Sequence, residues 1–338
     1  MSDPSRKLAA AAIPKPAPFR ILLVKTSSLG DVIHNLPIVN DLLAEFPGAE
    51  IDWVVEEGFA ALPALHPAVG RIIPVAIRRW RKHLGERATW REMAAFRRQL
   101  RATAYDAVLD SQGLVKSALL TRLAKGWRCG YAAEAAREPL AAAFYNESFV
   151  IPKNLHAVER NRWLAAAVFD YPPPEPDSLD YGIATPPVPP GLAGDGPYAV
   201  LLTATSRDDK LWDEANWIAL GQHLQSQGLR CLLPGGSAVE RERAARLAAA
   251  MPAAQALPPL GLAELAALLK GARLVIGVDT GLAHLAAAVN TPTIAIFCAS
   301  EPGLTGVLGS GFCRNLGGRG APPAVAEVLA ACHDAIGG

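Results

Sequence analysis

Two hydrophobic rhythms alternate along the chain. Short apolar runs of strand length occur at Phe19–Lys25, Ala49–Val55, Arg71–Val75, Ala107–Asp110 and Glu147–Ile151. Between them lie stretches with apolar positions three and four apart, at Val32–Phe46, Thr89–Ala102 and Lys116–Leu123. The pattern then restarts: strands at Tyr198–Thr203, Arg230–Pro234, Leu274–Val278 and Thr293–Phe297, helices at Glu214–Gln225, Ala238–Met251, Leu262–Lys270 and Gly281–Val289. Continuous apolar strands separated by amphipathic helices predict βαβ units around buried parallel sheets. The interval Tyr171–Pro190 holds eight prolines and almost no periodicity, which marks a boundary. The expected organisation is a tail over 1–18, an α/β domain over 19–172, a proline-rich linker over 173–195 and a second α/β domain over 196–338, whose last helix could return to the first. Ligands of open α/β sheets sit beyond the carboxyl ends of the strands, so the chemistry is expected in the loops that follow them and in the cleft between two such halves.

Composition narrows the class. With 338 residues, 51% of them hydrophobic and 19% charged, the chain can bury large cores. No run approaches about 18 uninterrupted apolar residues, so no membrane-spanning helix is expected. The first 18 residues are polar and basic apart from the short apolar run Leu8–Ile13, which Pro14, Pro16 and Pro18 follow, and read as a tail on a cytoplasmic protein rather than a secretion signal. Five cysteines, none in a C-x-x-C pair, argue against a disulfide framework and a cysteine zinc site.

Net charge is +1, but unevenly spread: residues 1–170 carry 23 Lys and Arg against 17 Asp and Glu. Ten of those cations fall between Arg71 and Arg101, with only Glu86 and Glu92 among them. Such a run is most often a solvated face. Here the near-absence of acids, and the presence of Trp80 and Trp90, favour an anionic partner, and an acidic, membrane-held substrate over nucleic acid, for which no binding module is present; whether the stretch docks on the membrane or only grips that substrate stays open.

Three strand-to-helix loops carry candidate chemistry. Lys25-Thr-Ser-Ser-Leu-Gly-Asp31 lacks both the G-x-G-x-x-G fingerprint and the Walker A lysine, which disfavours a dinucleotide-dependent oxidoreductase. It places Asp31 in the first turn of a helix, as a general base or as an ordinary cap. Asp279-Thr-Gly-Leu-Ala-His284 offers Thr280 and Gly281 at a helix N-terminus to a phosphate or diphosphate, with His284 one turn on. Thr205, Ser206 and Lys210 follow another strand and suit an anion, although taken alone they read better as an ordinary polar loop before a helix. Glu240, after Pro234-Gly-Gly236, reads either as a ribose-hydroxyl acceptor or as a surface residue. A non-catalytic nucleotide- or lipid-binding module stays open, but gives no reason for Asp31.

KTSSLGD, SQGLVKSAL (Ser111–Leu119), AREPLA (Ala136–Ala141), HAVER (His156–Arg160), TSRDDKLW (Thr205–Trp212) and GVDTGLAHLAAA (Gly277–Ala288) follow one another in order. Together they resemble the bacterial lipopolysaccharide heptosyltransferases over about residues 20–320, and the K-T-S-S-x-G-D form favours the heptosyltransferase I branch. The resemblance implies a GT-B fold of two Rossmann-like domains facing a central cleft. It implies inverting transfer of L-glycero-D-manno-heptose from ADP-heptose to the inner Kdo of Kdo2-lipid A, with no tightly bound cofactor and no essential metal. Under it Asp31 is the catalytic base. Thr205, Ser206, Lys210, Glu240, Asp279, Thr280, Gly281 and His284 hold the donor. Ser28, Gly30, Arg78, Arg79, Arg81, Lys82, Lys116 and Arg137 meet the acceptor. The enzyme is then expected to be a cytoplasmic monomer, peripheral to the inner face of the inner membrane, in contact with no nucleic acid. The rival within this fold is a glycosyltransferase with another nucleotide sugar or acceptor.

Overall fold

The computed structural model describes residues 19–337, so the expected N-terminal tail lies outside the described residues. Contacts divide the chain into two compact units. The first comprises 19–26, 37–60 and 68–176; the second comprises 27–36, 61–67 and 177–337.

The first unit holds a six-stranded sheet of β1 (Arg20–Val24), β2 (Glu50–Glu56), β3 (Val69–Val75), β4 (Ala104–Asp110), β5 (Lys125–Tyr131) and β6 (Glu147–Phe149). Every pairing is parallel, in the order β3-β2-β1-β4-β5-β6. β1 is apolar and buried almost throughout, as a strand covered on both faces must be. The expected helix Val32–Phe46 is two, α1 (Leu29–Ile33) and α2 (Pro37–Glu45). Pro37 brings no N–H and disfavours helical geometry at Leu36, so the chain turns through His34–Leu36 before resuming. The short α3 (Ile77–Trp80) and longer α4 (Arg87–Arg101) follow β3; α5 (Val115–Thr121) follows β4, and α6 (Ala157–Phe169) follows β6. α2 packs on α6, where Phe46 and Phe169 stand edge to face, and Arg162 of α6 grips Asp41 with two hydrogen bonds of 2.8 Å.

In the second unit β7 (Tyr198–Leu202), β8 (Arg230–Leu233), β9 (Ala254–Ala256), β10 (Leu274–Val278), β11 (Thr293–Phe297) and β12 (Cys313–Gly317) form a parallel sheet ordered β12-β11-β10-β7-β8-β9. Renumbered from its own first strand, this is the doubly wound order of the first sheet. Helices α7 (Glu214–Ser226), α8 (Ala238–Ala250), α9 (Leu262–Gly271), α10 (Gly281–Ala288) and α11 (Val325–Gly337) accompany it. Trp212, Trp217, Leu247 and Ile276 fill its core, together with Val328, Ala331 and Cys332 of α11. The last helix therefore buries its apolar face in its own unit.

The proline-rich interval is not a free tether. Tyr181 is buried and donates its hydroxyl to the Leu308 carbonyl at 2.7 Å, and Ala184 donates its N–H to Leu65 at 2.9 Å. From Asp177 onward this segment counts with the second unit.

Each sheet has one point where the strand order reverses, between β1 and β4 and between β7 and β10. There the loops leaving two neighbouring strands diverge to opposite faces and open a crevice, the ligand site general to this architecture.

Candidate functional site

The three candidate strand-to-helix loops, after β1, β7 and β10, fall on those two points. In the first unit the loop after β1 is stitched to the loop after β4. Lys25 donates Nζ–H to the Ser111 carbonyl at 2.8 Å, and the N–H and hydroxyl of Thr26 both reach Gln112 Oε1, at 2.8 and 2.7 Å. Beneath them Asp110 accepts the Gln112 N–H at 2.8 Å and the Tyr145 hydroxyl at 2.8 Å. Burial pushes the Asp110 carboxyl up, against the pull of those hydrogen bonds. The Ser111–Leu119 motif thus buttresses the loop that leads to Asp31, a role its spacing did not reveal.

Asp31 stands in the first turn of α1, where its Oδ2 accepts both the N–H and the hydroxyl of Ser28, at 2.9 and 3.0 Å. It thus closes a capping box whose N-cap is Ser28, and the same two bonds orient the carboxylate. α1 packs on α10, and both belong to the second unit. The approach is close: a Cβ on Gly281 would lie 2.7 Å from Leu29 Cβ, and one on Gly30 would lie 3.1 Å from the His284 ring. Glycine at 281 is therefore demanded by helix packing, whatever ligand it meets. His284 in turn meets buried His34, Nδ1 to Nε2 at 3.1 Å with the rings edge to face. Sequence reasoning passed over His34, whose partner lies 250 residues away.

At the second reversal point the loop after β7 is tied to the loop after β10. Thr205 donates its hydroxyl to the Asp279 carbonyl at 2.8 Å, while Asp279 Oδ2 receives Lys210 Nζ at 2.6 Å and Ser300 Oγ at 2.6 Å. Burial would raise the Asp279 carboxyl; the Lys210 and Ser300 hydrogen bonds and the nearby positive charge outweigh it and hold the group below the usual carboxylate range. Thr280 caps α10 and Gly281 begins it, so the helix's first N–H groups emerge beside this ion pair, an arrangement suited to a diphosphate. Ser206 is exposed on the same loop. Glu240 closes a capping box on α8, accepting the Gly236 and Ser237 N–H groups at 2.8 and 3.1 Å and receiving Ser237 as its own cap at 3.2 Å.

The expected acceptor cations lie in the first unit, after the carboxyl ends of β3, β4 and β5 and hence toward one end of the sheet. A cleft of about 430 Å³ is lined by Glu56–Phe59 with Arg78, Arg79, Lys82 and His83. Arg78 lies over the Phe59 ring, and Arg79 is bound by Glu57 at 3.0 Å and by Glu92 at 2.8 Å. The Arg79 hydrogen bond lowers the Glu57 carboxyl, and bonds from Trp80 and Arg79 lower that of Glu92. Arg81 and Lys82 are exposed. Lys116 opens α5, and Arg137 precedes Glu138, whose N–H binds Gly113 and whose carboxylate accepts the Val115 N–H. Lys116, in the first turn of α5, and Arg137, on the loop after β5, therefore sit on mutually braced segments. Among the described residues no three His, Cys, Asp or Glu side chains cluster in a metal-holding arrangement.

Comparison with known proteins decides the family. Residues 93–324 match glycosyltransferase family 9 (heptosyltransferase). The chain belongs to this family. It is 50% identical over 291 residues to lipopolysaccharide heptosyltransferase 1 of Pseudomonas aeruginosa, covering 86% of this chain and 81% of that protein. The Escherichia coli K12 protein of the same name is 49% identical over 298 residues, covering 87% and 93%. The solved E. coli heptosyltransferase WaaC with ADP superposes with a TM-score of 0.86 at 44% identity, over 94% of this chain and all of that one. The GT-B architecture expected from sequence is thereby established. A family 9 member is a glycosyltransferase, which sets aside the oxidoreductase and the non-catalytic module.

Proposed function

We propose that this enzyme is a lipopolysaccharide heptosyltransferase I, moving heptose from ADP-heptose to a Kdo sugar of Kdo2-lipid A with inversion at the anomeric carbon. Support for the substrates comes from the relatives: the nearly half-identical proteins carry that name, and WaaC has been solved with ADP and with ADP-2-deoxy-2-fluoro heptose. One observation of this chain carries the mechanism. The helix bearing Asp31 packs on the helix bearing Thr280–His284, so a carboxylate and a diphosphate-binding turn stand on two helices in contact.

Asp31, oriented by Ser28, takes the proton of the acceptor hydroxyl as its oxygen forms a bond to the anomeric carbon. The bond from that carbon to the diphosphate oxygen breaks on the opposite face, and its electron pair leaves with ADP. One displacement inverts the centre and needs no covalent nucleophile; charge at the sugar passes through an oxocarbenium-like state. Lys210 and the first N–H groups of α10 stabilise the departing diphosphate without calling on a metal. Glu240, Thr205 and Ser206 complete the donor site, and the cations after β3, β4 and β5 receive the acidic acceptor. The enzyme works as a monomer at the cytoplasmic face of the inner membrane, where that acceptor is anchored.

The test is ADP release from ADP-heptose with and without Kdo2-lipid A, in wild type and Asp31→Asn. Acceptor-dependent release that falls by about 10²–10⁴-fold in the variant, with donor affinity kept, supports the assignment. Release unaffected by the substitution removes Asp31 from the chemistry. Folded wild type inert with these substrates but active with another sugar nucleotide or acceptor would move the assignment to the rival within the fold.

A further inference from the structure

The cations between Arg71 and Arg101 do not share one fate. Arg71 is bound to Asp52, and Arg79 to Glu57 and Glu92. The five arginines of α4 (Arg87, Arg91, Arg97, Arg98 and Arg101) are exposed, and none has a side-chain partner among the described residues.

Their placement on the helix is one-sided. Thr89, Phe96 and Leu100 turn into the unit's core. At about 100° per residue, all five arginines and Trp90 fall in a sector of about 120° on the outer side. The helix's one acid, Glu92, lies outside that sector, where Trp80 Nε1–H and Arg79 occupy it. Glu86, just before the helix, is held by His83 at 2.6 Å. The protein therefore leaves this cationic face unneutralised.

Beside it stand two exposed large apolar side chains, Trp90 at 57% and Leu84 at 50% exposure. They are joined: the Trp90 indole N–H donates to the Leu84 carbonyl at 2.8 Å. Its one polar group is thus satisfied within the protein, so the ring can enter a medium of low polarity without leaving a donor unpaired. Arginines arrayed along a helix lying flat, with an aromatic wedge at its end, match the chemistry of an anionic bilayer surface. Nucleic acid would use the cations but leave the apolar pair idle.

We infer that the outer face of α4, with Leu84 and Trp90, is the surface by which the enzyme docks on anionic lipid. The inference deepens the membrane placement proposed above and names residues outside the proposed donor and acceptor sites. Its test needs neither substrate, so its failure leaves the transfer chemistry standing.

The experiment is co-sedimentation of the full chain with vesicles of phosphatidylcholine alone or with phosphatidylglycerol, plus quenching of tryptophan fluorescence by brominated lipid. Wild type is expected to bind the anionic vesicles, less as salt rises, and to be quenched. Arg97→Glu/Arg101→Glu should weaken binding about tenfold or more. Trp90→Phe should lose most of the quenching while keeping part of the binding. Both variants should keep the wild-type thermal midpoint and full turnover on a deacylated, water-soluble acceptor. Equal binding to neutral and anionic vesicles, no binding to either, or unchanged binding by the charge-reversed variant would overturn the inference. So would quenching that survives Trp90→Phe, or a charge-reversed variant that retains vesicle binding but loses turnover on the soluble acceptor.

Discussion

Replacing Lys210 by Met separates what this lysine does for the fold from the role proposed for it in the reaction. Lys210 Nζ and Asp279 Oδ2 are 2.6 Å apart, and the two side chains are 18% and 17% exposed. Removing one partner of a fully buried pair costs about 3–5 kcal/mol, because the other charge is left stranded. Residual exposure and the Ser300 hydrogen bond that remains reduce this, and about 2–3 kcal/mol is expected at pH 7. The sign of the pH dependence follows from the carboxyl. In wild type Asp279 is held below the ordinary range, so its contribution is complete above about pH 4 and is lost only as pH falls further. Without Lys210, burial dominates and the folded carboxyl titrates above the unfolded one. The folded variant then binds the proton first on acidification, and part of its deficit is recovered between neutral pH and about pH 4. Urea unfolding followed by near-ultraviolet circular dichroism reads this through the edge-to-face pair Trp212–Trp217, 5.2 Å apart in the same core. The gap to wild type should narrow from pH 7.5 to pH 4.5, and Lys210→Met/Asp279→Asn should regain more than half the loss while remaining slow in turnover. A gap independent of pH, together with a double variant no better than the single, would refute the reasoning.

Two further outcomes follow from packing and burial. Gly281→Ala sets a methyl 2.7 Å from Leu29 Cβ and should cost about 1–3 kcal/mol. Leu29→Gly in the same chain removes that clash where Leu29→Ala cannot, so comparing the two double variants by thermal midpoint and turnover shows whether the glycine serves packing or substrate. Burial pushes the thiols of Cys129 and Cys332 up to about 12, and those of Cys231 and Cys313 to about 11. An unfolded thiol ionises near about 8.5, so above that pH the unfolded chain holds fewer protons than the folded one and stability falls, by about 1.4 kcal/mol per pH unit for each such thiol. The urea midpoint should drop steeply from pH 8 to pH 10, and less steeply in Cys332→Ala; parallel slopes would show that this thiol is not protected.

What could be read from the chain and what could not divide along a physical line. Strands β10 and β11 appear at the bounds their apolar runs predict, since a strand buried on both faces declares itself in composition. β5 escaped notice because KGWRCGY carries two glycines and two cations. A side chain at Gly126 would strike β4 and one at Gly130 would strike the Tyr145 ring, so those glycines answer neighbours that only the fold supplies. α6 was hidden similarly: Asn161 and Arg162 interrupt its apolar face, yet both are buried, meeting Tyr131 and Asp41. The candidate loops were legible because ligands of parallel sheets sit at strand ends, and the loops after β1, β4, β7 and β10 lie beside a reversal of strand order, whereas Ala136–Ala141 and His156–Arg160 follow β5 and β6. Their supports were not, for Gln112, His34 and Ser300 become visible only through partners distant in sequence. The basic run shows the same limit from the other side. Its apparent want of acids was partly a matter of sequence distance, since Glu57 arrives from the turn after β2 to bind Arg79. Subtracting the pairs that folding makes leaves Arg78, Arg81 and Lys82 around the turn after β3 and the five arginines of α4, and it is this remainder, rather than the raw count of ten, that calls for an anionic partner.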